Sequence, residues 1–351
     1  MRTLVFGAGP LGSLLAARLH EAGQDVSLLA RGQRLADLRE HGVVLEYPDR
    51  SREVRHVPVV EELAEDGRYD LVLVVMRKPQ ARAILPTLAR NRHAETVLFL
   101  MNDAAGPGEL VRAVGAERVM IGFPSAGGTR DGHVVRALPL SGWAIPIGEV
   151  DGRVTERTRR VAALLGTMRD KRVQIRRDMD AWLVTHVAGI IGMLGIYAAG
   201  LDPDRFSRTR DAVVLGVRAR DEALRAQRAA GIPISPPYYR ALPWIPEPLT
   251  VAIVRPFARS ETAAVGLFGH AAAARDESRH LLDEFRARVA PGGVPTPALD
   301  ELAAYVAAEE RLMRDGRSEV PLRWDGVIGL AAAALGIAGL VVLTRSRPRR
   351  R

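Results

Sequence analysis

Glycines at positions 7, 9 and 12 carry the chemistry most legible in this chain. The run Gly7-Ala8-Gly9-Pro10-Leu11-Gly12 follows the apolar Leu4-Val5-Phe6 and opens an amphipathic stretch from Leu14 to Ala22. In that order Gly7 permits a tight turn, Gly9 lets the backbone approach a pyrophosphate, and Gly12 lets helix and strand pack closely. Free N–H groups at the helix start then face the anion. The pattern predicts a bound NAD(P) or FAD; its alternative is a glycine turn in an α/β domain that holds no nucleotide. The end of the next strand, Val26 to Ala30, discriminates between cofactors. NAD sites place a carboxylate there for the ribose 2′-OH, whereas this chain has Arg31, with Arg34 close behind. Those cations suit the 2′-phosphate of NADP(H), the expected cofactor, and solvated arginines in an arginine-rich chain are the other reading. His186, in the otherwise apolar stretch from Trp182 to Ile191, could act as an acid near neutral pH or be a packed, hydrogen-bonded core residue. No metal site is expected, because His133 and His270 have no partner at ligand spacing.

Composition narrows the field. With 351 residues and no cysteine, the chain has room for two domains and excludes disulfides, thiolate metal sites and cysteine nucleophiles. Lysine occurs only at Lys78 and Lys171, which leaves few candidates for a catalytic ammonium. The net charge is +9, but the arginines are interleaved with acids and aromatics make up only 5%, so no nucleic-acid partner is expected. The N-terminus enters directly into a strand and shows no signal peptide, which places the expected catalytic domains in the cytoplasm.

These residues need elements to position them. Apolar runs at 70–75, 97–100 and 119–123 alternate with helical patterns at 80–89 and 108–114, which predicts a Rossmann-type doubly wound parallel sheet. A hairpin is expected over 43–47 and 53–59, and antiparallel strands between 125 and 148 should close the domain. The expected organisation is an NADP-binding domain over 1–152, a connecting helix and strand over 153–177, and an all-helical domain for substrate and dimerisation over 178–315. In the last, helices are expected at 179–199, 207–230, 260–274, 276–289 and 297–313, with a proline-rich loop or broken helices at 233–248. A linker follows at 316–325. Residues 326–343 contain no charge, about 27 Å as a helix, and a basic tail occupies 344–351; a C-terminal transmembrane helix is expected, against a buried or interfacial one. Arginines on both sides leave its orientation open.

Taken together, these residues resemble the ketopantoate reductase family over roughly Met1 to Met313. The resemblance rests on the glycine run, Arg31, Asn102 after Leu98-Phe99-Leu100-Met101, Ile147 to Gly152, Trp182, Gly231-Ile232-Pro233, Asp276-Glu277 and Pro295-Thr296-Pro297. It implies a Rossmann domain joined to a helical domain similar to the C-terminal part of 6-phosphogluconate dehydrogenases. It also implies NADPH-dependent reduction of a 2-oxo acid, ketopantoate to pantoate in the family. Asn102 falls at the family's asparagine near nicotinamide and substrate, or is a strand-end turn. Arg77 replaces a lysine near the cofactor phosphates. Glu277 matches a glutamate of the substrate-hydroxyl or acid network, or is a solvated helix charge. The family's acid is a lysine two residues after the tryptophan, where this chain has Val184; its two helix asparagines correspond to Ala188 and Gly192. Valine offers neither a proton nor a charge. Two expectations follow: an NADPH-dependent oxo-acid reductase with another proton source, or a membrane-tethered NADP-binding protein that has lost reduction and serves in sensing or partner binding.

Overall fold

The computed structural model describes residues 1–138, 143–169, 171–260 and 263–324. Its first half is the expected sheet. Strands β1 (Thr3–Phe6) and β2 (Val26–Leu29) flank helix α1 (Pro10–Glu21), and α2 (Gly32–His41) follows. Next come β3 (Val43–Glu46), β4 (Arg52–Arg55), the short β5 (Val59–Val60) and β6 (Tyr69–Val74). Helices α3 (Lys78–Arg90) and α4 (Gly108–Val114) alternate with β7 (Ala94–Leu100) and β8 (Val119–Gly122). The unit ends in β9 (Gly127–Asp131), β10 (Val134–Leu138), β11 (Ile145–Glu149), α5 (Glu156–Leu165) and β12 (Val173–Ile175).

Eight strands form one sheet in the order β12-β11-β8-β7-β6-β1-β2-β5. Its stretch β5-β2-β1-β6-β7-β8 is the parallel dinucleotide-binding order, with the crossover reversing direction between β1 and β6. Leu71, Val72, Leu73 and Val74 are wholly buried because helices cover both faces of the central strands. Only β11 runs against its neighbour β8. The antiparallel strands expected between 125 and 148 are present: β9 and β10 pair antiparallel with each other and β11 with β8. Strands β9 and β10 instead join the hairpin β3–β4 in a separate sheet, β4-β3-β10-β9. Leu45, Val135 and Ala137 of that sheet pack with Leu14 and Leu15 of α1, covering a helix face that would otherwise be wet.

The second half is helical: α6 (Met179–Ile191), α7 (Gly195–Ala198), α8 (Pro203–Arg208), α9 (Arg210–Ala229), a 3-10 segment Pro237–Trp244, and α10 (Glu247–Phe257). A π-helical run Ala264–Gly269 leads into α11 (His270–Ala273), and α12 (Arg275–Val289) and α13 (Pro297–Ala307) complete it. The helix expected over 179–199 breaks at Gly192, where the chain passes against α9. A Cβ on Gly216 would stand 2.3 Å from the Gly192 carbonyl, and one on Gly195 would stand 2.2 Å from that of Ala212. The helix expected over 207–230 likewise divides at Thr209, and the one expected over 297–313 ends at Ala307 before extended backbone at Ala308. Helix α10 was not expected; prolines at 246 and 248 resemble a loop but suit a helix start.

The stretch Met179–Ala198 is long and apolar enough to cross a membrane, with mean hydropathy 1.6, yet 67% of its best window is buried. It is the centre of the second core, where Val184, Val187 and Ala188 meet Phe206, Phe285 and Leu299. The expected linker from 316 is tied down: Asp211 accepts from the backbone N–H of Glu319 (2.9 Å) and Val320 (3.1 Å). The expected membrane helix 326–343 and tail 344–351 lie outside the described residues.

Candidate functional site

The glycine run forms a tight loop by close packing. Gly7 has φ +124°, and a Cβ there would stand 2.4 Å from the Val75 carbonyl. A Cβ on Gly12 would stand 1.8 Å from the Gly7 carbonyl, so the first turn of α1 lies directly on the loop. At Gly9, by contrast, a Cβ would meet nothing within 4 Å. The two packed glycines hold the loop and the third leaves its outer side open. Pro10 occupies the start of α1, where no N–H is needed, and the N–H groups of Leu11 and Gly12 have no intrahelical acceptor. Ala8 lends its carbonyl to Ser13 Oγ at 3.3 Å.

The two arginines beyond β2 have different fates. Arg31 is exposed at the N-cap of α2, its guanidinium 5.9 Å from the Phe6 ring centroid, and lines a hollow of about 530 Å3 with Glu61 and Glu62. Arg34 is buried and donates to the carbonyls of Ala8 (3.2 Å) and His133 (3.1 Å) and to Ser13 Oγ (3.0 Å). Burial, with Arg130 nearby, lowers its pKa to about 10. Arg34, expected near the cofactor phosphate, is turned inward here and clamps the glycine loop to the β9–β10 hairpin.

At the other end of the crevice, the first turn of α12 lies over the carboxyl ends of β6 and β7. Asn102, just past β7, donates from Nδ2 to Glu277 Oε1 at 3.2 Å, with the two residues 8% and 3% exposed. Asn102 Oδ1 is buried with no hydrogen-bond partner among the described residues. Arg77, capping α3, stands 2.6 Å from Asp276 Oδ1. Thus Asn102, Glu277 and Arg77 come together although they lie far apart in the chain.

Behind them is a buried ionic cluster that the sequence reading did not identify. Lys78 Nζ, wholly buried, stands 2.7 Å from Asp103 Oδ1 and 3.4 Å from Glu284 Oε1. His280 Nε2 lies 3.0 Å from the same Glu284 oxygen, and Glu284 Oε2 accepts from the Ala104 N–H at 3.3 Å. Burial pushes the Asp103 carboxyl up to about 6 although Lys78 opposes it. One signal was present, since Lys78 is one of only two lysines in an arginine-dominated chain. Nearby, Arg288 bonds Asp180 Oδ2 at 2.7 Å and joins α12 to α6.

The positions that should carry the lysine and asparagines are apolar and closed. Val184 and Ala188 are fully buried in the helical core. A Cβ on Gly192 would already stand 3.0 Å from Arg220 Cβ, so α9 occupies the space of an asparagine side chain. His186 stacks on Trp182 (5.1 Å, 9°) and lies 4.3 Å from the Phe123 ring, an aromatic packing position.

Comparison with known proteins bears on the fold. Residues 3–150 match the family described as ketopantoate reductase PanE/ApbA. The 2-dehydropantoate 2-reductase of Halobacterium salinarum is 30% identical over 169 residues, which span 48% of this chain and 55% of that protein. The crystal structure of 2-dehydropantoate 2-reductase from Geobacter metallireducens GS-15 superposes with TM-score 0.69 at 23% identity, covering 88% of this chain and 99% of that one. A D-mandelate dehydrogenase solved with NADH and anilino(oxo)acetate has the same fold, with TM-score 0.70 at 17% identity over 88% of this chain and 98% of that one. Residues 3–150 thus match the ketopantoate reductase PanE/ApbA family model, and the chain as a whole shares its fold with solved ketopantoate reductases.

Proposed function

We propose that the chain is an NADP(H)-dependent reductase of a small 2-oxo acid. The observation that carries this reading is the paired Asn102 and Glu277, buried at the carboxyl end of β7 beside the strand-order reversal. The open cradle at Gly9 and the unsatisfied Asn102 Oδ1 fit a dinucleotide whose pyrophosphate meets the loop and whose nicotinamide reaches Asn102. Arg31 then holds the 2′-phosphate, with Arg77 near the phosphates. NADPH held there would supply the hydride needed at the keto carbon. Glu277 holds the proton that goes to the carbonyl oxygen, giving the 2-hydroxy acid, and Asn102 orients that carboxyl.

The test is NADPH oxidation with a panel of 2-oxo acids, ketopantoate among them, for the full chain and for Glu277→Gln. Turnover that falls about 10²-fold or more in Glu277→Gln, with NADPH affinity unchanged, supports the assignment. Absence of NADPH binding would refute it. The fully buried Val184 and Ala188 favour a second reading, NADP binding without reduction. It predicts NADPH binding and no turnover with any oxo acid.

We also assign residues 326–343 to a membrane anchor that holds both domains at the cytoplasmic face. The uncharged run from Gly326 to Leu343 supports this, being about 27 Å long as a helix and followed by five arginines within the tail.

A further inference from the structure

Helix α10 carries an exposed face without a single charge. Leu249, Ala252, Ile253, Pro256 and Phe257 recur at helical spacing and all face solvent, Leu249 at 51%, Ile253 at 59% and Phe257 at 47% exposure. The opposite face, with Thr250, Val251 and Ala258, is buried on the helical domain. Just before α10, Trp244 is 82% exposed and Tyr238 64%. Large apolar groups concentrated on one surface mark an interaction site.

The course of the chain identifies what covers this face. Glu247, the first residue of α10, pairs with Arg218 at 2.8 Å and accepts from the Arg323 N–H at 2.9 Å. Arg218 also donates to the Pro321 carbonyl at 2.7 Å. The described chain therefore leaves the domain at the foot of α10. Only Asp325 separates Trp324 from the uncharged run beginning at Gly326. A bilayer entered by that run would lie next to the apolar face, where the exposed Arg240 precedes the face in the chain and Arg259, just beyond it, is paired with Asp204 at 2.8 Å.

We propose that α10 is a membrane-docking helix. Its face of Leu249, Ile253 and Phe257 rests in the interfacial layer of an anionic bilayer, with Trp244 at the headgroup level. This rests on the anchor assigned above and goes beyond it, because it fixes which side of the helical domain faces the lipid. Eleven residues lying flat cover about 16 Å, and their apolar side chains reach about 5–10 Å into the headgroup boundary.

The chain has no cysteine, so single labels are unambiguous. The full chain carrying Ile253→Cys, or Glu40→Cys on α2 as control, is labelled with an environment-sensitive fluorophore and reconstituted into vesicles containing phosphatidylglycerol. Flotation reports the anchor, and lipids bearing a quencher near the headgroup or deep in the acyl chain report docking. The expected result is flotation, about twofold or greater quenching at position 253 by the shallow quencher, weaker quenching by the deep one, and none at position 40. Flotation without quenching at 253 overturns docking and leaves the anchor standing. Failure to float overturns both. A blue-shifted, lipid-insensitive label at 253 also overturns docking, because the face is then covered by this chain's own residues or by a second copy.

Discussion

Replacing Gly9 and Gly12 separately by alanine separates cofactor binding from folding. At Gly9 the backbone has φ −71° and ψ −177°, which alanine adopts freely, and the added Cβ meets nothing within 4 Å. Alanine restricts the unfolded chain, a gain of about 0.4–1 kcal/mol, and is a poorer N-cap than glycine by a similar amount, so the melting temperature should move by no more than about 4 °C. The methyl group nevertheless fills the opening through which the pyrophosphate approaches. Losing about two charge-assisted hydrogen bonds of about 1.5 kcal/mol each weakens NADPH binding about 10²-fold. Gly12→Ala acts oppositely: its Cβ would sit 1.8 Å from the Gly7 carbonyl, so helix and loop must separate by more than 1 Å. Overpacking of this kind costs about 1–3 kcal/mol or more. Thermal unfolding of the full-length variants beside fluorescence titration with NADPH reads both effects. Normal NADPH affinity in folded Gly9→Ala would refute the placement of the pyrophosphate, and wild-type stability of Gly12→Ala would refute the close contact.

Three further outcomes are expected. Arg31→Ala should lose about tenfold in NADPH affinity while NADH affinity changes little; equal loss for both would remove Arg31 from the 2′-phosphate. Lys78→Met leaves Asp103 and Glu284 buried without their cation, and urea unfolding at pH 7 should show a loss of about 3–5 kcal/mol. Because the folded Asp103 carboxyl is raised to about 6 from an ordinary 3.8, its contribution to stability improves as pH falls through 6 toward 3.8. The Lys78→Met deficit should therefore shrink at pH 5, and a pH-independent deficit would contradict the cluster. Glu53 behaves conversely. Partial burial opposes its ionisation, but Arg169 and Arg18 hold it down to about 2, so its stabilisation is present above about 4.5 and lost as pH falls through 2. Glu53→Gln should raise the pH of acid unfolding; an unchanged midpoint would show that the arginine cluster around α1 contributes nothing.

Much of the binding half is local in the chain and therefore legible there. A buried parallel strand requires a continuous apolar run, and the turn after it requires glycines whose Cβ atoms would collide with backbone. Both constraints act over a dozen residues, which is why β1, α1 and the roles of Gly7, Gly9 and Gly12 follow from letters alone. The uncharged face of α10 was hidden because prolines at 246 and 248 signal a turn as readily as a helix start.

The sequence by itself determined the glycine loop, the parallel sheet and the helical second half, since backbone sterics and hydrophobic period depend on near neighbours. Tertiary structure decided what the polar residues do. Asn102 and Glu277 are 175 positions apart and meet only because α12 packs over the end of β7. Arg34, a neighbour of Arg31 in the chain, turns inward because the β9–β10 hairpin presents the His133 carbonyl to it, 99 positions away. Lys78 gains its carboxylates from two further segments, and Gly192 loses any space for a side chain because α9 crosses there. Side-chain chemistry depends on burial and on partners brought from distant segments, and neither has a period that a linear pattern can carry.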